Sequence, residues 1–121
     1  MSEQDVPTTL ARFAGPRGTM NLDALLDTGA SSAILLAPDA EKMGIRAQGE
    51  EPVHTNNGTV VWGKAKTAVT LDGGKSWTEV PVWIAPPEDE ARTTLGWPSM
   101  QALGFKLSPP HYPTAYSEQE G

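Results

Sequence analysis

A chain of 121 residues with 9 Lys+Arg against 15 Asp+Glu carries a net charge of -6. It fits one compact domain and has no basic cluster able to follow a phosphate backbone, so a nucleic-acid partner is not expected. Cysteine is absent, which removes disulfides, thiolate metal sites and cysteine nucleophiles together, and His54 and His111 do not stand at the spacing of zinc ligands, so no metal site is expected. The longest apolar runs, residues 34–37 and 80–85, fall far short of the roughly 20 residues a membrane-spanning helix needs. Residues 1–5 are acidic rather than signal-like. The expectation is a chain with no membrane segment, cytoplasmic in location.

Turn chemistry divides the chain into short extended segments. Residues 8–14 lead into Gly15-Pro16-Arg17-Gly18, and residues 19–26 lead out, which reads as a hairpin. Alternation of Met20, Leu22, Ala24 and Leu26 gives its second strand one apolar face, and that strand ends at Asp27. After the turn Asp27-Thr28-Gly29-Ala30, residues 32–36 form another short strand. Pro38, Asp39 and the closing Gly44 frame one or two helical turns over 38–43.

The middle of the chain is the most strand-like. Val53-His54-Thr55 runs into Asn56-Asn57-Gly58 and Thr59-Val60-Val61-Trp62 runs out, with Asn57-Gly58 a strong hairpin signal. Its small polar tip is expected to project into solvent. Strand character continues from Lys64 to Leu71, turns at Asp72-Gly73-Gly74-Lys75 and returns over 76–85, where Pro81 suggests an edge or a bulge. Beyond the loop at 86–92, Thr94-Leu95-Gly96 precedes a short helix framed by Pro98 and Gly104. From Ser108 onward, prolines and acids suggest a loosely held tail, giving a domain at 1–107 and a tail at 108–121. Many short strands with two brief helical turns describe an all-β, mainly β domain.

Asp27-Thr28-Gly29 occurs once. Alone, it reads first as an ordinary Asx-type turn between strands, with Asp27 bonded to its own backbone. His54 and His111 read as solvated or structural. Trp62, Trp77, Trp83 and Trp97 read as core or interface residues, although an aromatic at a hairpin base is able to line a pocket.

Three landmarks stand in order: Leu25-Leu26-Asp27-Thr28-Gly29-Ala30-Ser31-Ser32, the hairpin through Asn57-Gly58, and Leu95-Gly96 leading to the helix before Gly104. Together they make the chain resemble the retropepsin-like, single-domain aspartic proteases over roughly residues 10–107. The resemblance implies a small closed acid-protease-like barrel with a flap hairpin and one short C-terminal helix. It further implies an aspartic endopeptidase that needs no cofactor and acts on polypeptide substrates next to hydrophobic residues. The active site would form in a homodimer, where Asp27 of each protomer activates one water and the two like charges share a proton. Thr28 would brace the loop across the dimer axis, and Gly29 would permit close approach of the two turns. Ala30, Asn56, Asn57, Gly58 and Leu95 would serve the substrate site: Ala30 beside the peptide, the next three at the flap tip, and Leu95 in the segment beneath the turn.

The sequence departs from the viral pattern in its Asn-Asn-Gly tip and in Trp97-Pro98 after Leu95-Gly96. A second reading is a non-catalytic dimerisation or peptide-binding module that adds an extended segment as a strand. A third is a protease that cuts only its own or its parent chain, with a candidate site around Tyr116.

Overall fold

The computed structural model describes residues 7–106. Its elements are β1 (Thr8–Gly15), β2 (Gly18–Asp27), β3 (Ala33–Leu36), α1 (Ala37–Met43), β4 (Gly49–Thr55), β5 (Gly58–Thr70), β6 (Thr78–Ala85), β7 (Thr94–Gly96) and α2 (Trp97–Ala102). A 3-10 turn at Pro87–Asp89 lies between β6 and β7. The domain is mainly β, as its sequence leads one to expect, and both expected helical turns are present. The expected tail lies outside the described residues, as does Tyr116.

The strands are ordered β1-β2-β7-β3-β6-β5-β4, and β1 also pairs with β5. That last pairing closes six strands into a ring and leaves β4 outside it. The 13-residue β5 makes this possible. Its end pairs with β1 through Ala68 to Thr70, its middle with β6 from Gly63 to Val69, and its start with β4 from Gly58 to Lys64. The first third of β5 therefore leaves the barrel with β4 as a projecting hairpin.

Alternation explains which side chains fill the ring. Ala11 and Phe13 of β1, Ala65 and Val69 of β5, and Val80 and Val82 of β6 fall on the inward face of the pleat and are buried. On β2, Ala24 is fully buried while Met20, Leu22 and Leu26 pack partly buried against the same core. Full burial of a Phe, Leu or Val side chain stabilises the fold by roughly 1.5–3 kcal/mol. Helix α1 buries Ala40 and Met43 in the same core. Its C-terminus stops at Gly44, whose φ of 75° is left-handed and whose N–H donates to the Glu41 carbonyl at 3.0 Å.

Pro81 is neither on an edge strand nor at a bulge, since β6 pairs with β5 in unbroken register through Lys66 and Pro81. Strand β6 is internal, between β3 and β5, but its pairing with β3 begins only at Val82. At Pro81 one side of the backbone has no strand partner, so the missing N–H costs no ladder bond.

Candidate active site

Strand β2 delivers Asp27 because the residues before it are anchored. Leu25, Leu26 and Asp27 pair in parallel with Thr94, Leu95 and Gly96 of β7, and Thr94 also pairs with Ile34 of β3. Leu26 packs against the core, Leu95 is fully buried, and the next residue along β2 emerges exposed. The chain then folds back on itself. The Gly29 N–H donates to Asp27 Oδ1 at 2.9 Å, and the Ala30 N–H donates to the Asp27 carbonyl at 3.1 Å. A carboxylate so bonded is oriented by its own loop.

A second glycine lets this turn seat. A Cβ on Gly96 would stand 2.6 Å from the Ala30 carbonyl oxygen and 2.7 Å from that of Ser32. The Trp97 N–H donates to the same Ala30 carbonyl at 3.0 Å, so α2 begins on the turn that carries Asp27.

Asp27 lines a cleft of about 760 Å³, together with Leu25, Gly29 and Ala30. The projecting hairpin contributes Val53, His54, Thr55 and Asn56 to its lining. Trp62, Trp83 and Arg92 also line it. The aromatic part of the lining belongs to a small second core of Val53, Trp62 and Ala85, against which Ile34 and Trp83 pack.

Asn56 and Asn57 make the hairpin turn, because Thr55 and Gly58 are already paired. Glu90 is the sole non-glycine residue with positive φ among the described residues, so both asparagines keep negative φ and Gly58, at 111°, takes the positive one. The turn therefore sits one residue earlier than an Asn57-Gly58 centre, with Gly58 closing it as the first residue of β5. Thr55 fastens it. Its hydroxyl donates to the Gly58 carbonyl at 2.8 Å and accepts the Asn57 N–H at 3.1 Å.

Of the residues singled out from sequence, Asp27, Gly29, Ala30 and Asn56 meet on the cleft. Thr28 is exposed in the turn that follows Asp27, and Asn57 and Gly58 are exposed at the hairpin tip, outside the cleft lining. Leu95 lies in the core, paired with Leu26. Sequence reading did not single out Glu51, which lines the cleft, or Asp89, and both are bonded to tryptophans there. The available signal was two tryptophans on neighbouring strands, whose indole N–H groups need acceptors when buried.

Residues 11–99 match the family model described as aspartyl protease. No curated protein matches the sequence. Among solved structures, the chain is similar to EIAV protease complexed with an inhibitor, with a TM-score of 0.70, 23% identity, and 90% of this chain and 98% of that chain covered. It is similar to simian foamy virus (mac) protease at a TM-score of 0.57 and 20% identity, over 84% of this chain and 100% of that one. A retropepsin-like aspartic protease from Rickettsia conorii gives a TM-score of 0.57 and 18% identity, with 88% of both chains covered. At these identities the likeness is one of fold.

Proposed function

The chain belongs to the aspartyl protease family and has a retropepsin-like fold, and on that premise we propose that it is an endopeptidase whose active site is shared by two protomers. One observation carries the proposal. Asp27 stands exposed at a strand end, lining a cleft and held by its own glycine turn, and one such turn supplies one carboxylate. General acid–base hydrolysis needs two in opposite protonation states, so the second comes from Asp27 of a partner copy. Two carboxylates around one water share a proton, since both cannot ionise freely at that range. The ionised one takes a proton from the water as its oxygen attacks the scissile carbonyl, and the protonated one donates toward the carbonyl oxygen. The tetrahedral species then collapses with proton transfer to the leaving amine.

The cleft supports an extended polypeptide substrate with hydrophobic side chains beside the scissile bond, which would lie against Ile34, Val53 and the tryptophan pair. Closure of the hairpin over the peptide would exclude water. The test is cleavage of an unfolded protein between about pH 3 and 7, read by mass spectrometry, for wild type and Asp27→Asn. Cleavage lost in the variant, with a rate rising faster than linearly with enzyme concentration, is the expected result. Equal cleavage by both proteins overturns the assignment of Asp27.

A further inference from the structure

Two indole–carboxylate hydrogen bonds beside the cleft have no part in chemistry at Asp27. Trp62, only 3% exposed, donates from Nε1 to Asp89 Oδ2 at 2.7 Å. Trp83 donates from Nε1 to Glu51 Oε1 at 2.6 Å. The two rings meet edge to face, with centroids 6.2 Å apart and planes at 69°. All four side chains form one cluster, and both bonds have the short length of charge-assisted contacts.

Their placement in the fold gives them a mechanical meaning. Glu51 and Trp62 are cross-strand partners in the projecting hairpin, on β4 and the first third of β5. Trp83 lies on β6, and Asp89 ends the 3-10 turn that follows it, so both belong to the barrel side. The bonds cross the same boundary in opposite senses: a hairpin indole reaches a barrel carboxylate, and a barrel indole reaches a hairpin carboxylate. The boundary itself is Gly63, which pairs with Glu50 of the hairpin and with Ile84 of the barrel. A Cβ there would lie 2.8 Å from the Ala47 side chain, so the strand crosses at a tight point just beyond Trp62. The 3-10 turn is shaped to present Asp89, with Glu90 in the left-handed region at φ 56° directly after it.

We propose that Glu51 and Asp89 are positioning residues: with Trp83 and Trp62 they clamp the root of the hairpin to the barrel and hold its tip over the cleft that contains Asp27. The proposal rests on the protease reading for its kinetic consequence, though not for its mechanical one. A loosened root lowers the fraction of molecules whose hairpin stands in the binding position, and apparent affinity falls by that fraction. Once peptide is bound the hairpin is held by the ligand, and the chemical step proceeds as before. KM therefore rises while kcat holds.

The experiment uses full-length protein with Glu51→Ala, Asp89→Ala, and the acceptor-keeping variants Glu51→Gln and Asp89→Asn. Circular dichroism checks each fold, and two readouts follow: hydrogen exchange of hairpin amides such as Val53 and Val60 against barrel amides such as Val69 and Val80, and steady-state peptide cleavage. The expected result in the alanine variants is a ratio of open to closed hairpin raised roughly tenfold, the change that loss of one hydrogen bond to a charged group produces, read as faster hairpin exchange and a higher KM whose fold-changes multiply to about ten, with barrel exchange and kcat within about twofold. Gln and Asn restore most of the loss, because an amide oxygen still accepts the indole N–H. Trp83→Phe removes the donor and keeps a ring, and it tests the same bond from the other side if an alanine variant fails to fold. Hairpin exchange unchanged in Glu51→Ala, Asp89→Ala and Trp83→Phe overturns the clamp, as does a fall in kcat at constant KM. If wild type cleaves nothing, the protease reading fails and exchange alone decides the clamp.

Discussion

Gly96 lies against Ala30 so closely that the turn bearing Asp27 has no room for a side chain beneath it: a Cβ at 96 would fall 2.6 Å from the Ala30 carbonyl oxygen. The obstacle is backbone, which no rotamer change relieves. Gly96→Ala is expected to lower stability by about 3 kcal/mol, in the range of severe overpacking, and to abolish cleavage even where folding survives. Urea unfolding followed by tryptophan fluorescence measures the first, and peptide cleavage the second. Stability within about 0.5 kcal/mol of wild type would mean that the turn and β7 are not locked together.

Sharing of the site between protomers has a consequence for mixtures. If each active dimer needs two intact Asp27 carboxylates, equal amounts of wild type and Asp27→Asn, unfolded and refolded together, leave about one quarter of dimers fully intact. Activity then falls to about half that of the same amount of wild type refolded alone, since refolded wild type is diluted into dead heterodimers. Activity that stays equal to the wild-type control would show that a single chain is sufficient.

Gly58 carries the positive φ of the hairpin turn, and a Cβ at that position would meet nothing within 4 Å, so crowding plays no part in its requirement. Gly58→Ala is expected to cost about 1 kcal/mol from conformation alone. The loss should concentrate in the hairpin, seen as faster exchange at Thr55 and Thr59. A D-alanine at 58, introduced by chemical ligation, adopts positive φ without strain and is expected to restore wild-type exchange; failure of that rescue would assign the effect to something other than φ.

What could be read from the sequence was whatever local chemistry determines. The hairpins at Gly15–Gly18 and around Asn56, the helix stop at Gly44 and the strand end at Asp27 each follow from short-range turn or periodicity rules, and each is present. Ring closure was legible only through the family resemblance: it depends on Phe13 meeting Val69, a register between distant parts of the chain that no local pattern encodes. The Glu51 and Asp89 contacts were hidden for the same reason. Both carboxylates sit in short acidic stretches, and only the barrel brings them to Trp83 and Trp62. Asp72 belongs to the legible class, within a turn marked by two glycines.

That turn supplies a pH test independent of catalysis. The Thr70 hydroxyl donates to Asp72 Oδ1 at 2.7 Å and the Ser76 N–H donates to the same oxygen at 3.0 Å. These bonds, the Thr70 one foremost, favour the ionised form and hold the Asp72 carboxyl below the usual carboxylate range, with weak desolvation acting the other way. A folded-state value below the unfolded one means that the unfolded chain binds more protons between the two, so stability rises with pH there. The contribution of Asp72 is complete above the ordinary aspartate value of about 4 and is lost as pH falls through the lower folded value. Asp72→Asn removes the titration and keeps an oxygen able to accept the Ser76 N–H. Its urea midpoint is therefore expected to fall less steeply than that of wild type as pH drops from about 5 to 3. Parallel curves for the two proteins would show that the carboxylate of Asp72 does not feel the fold.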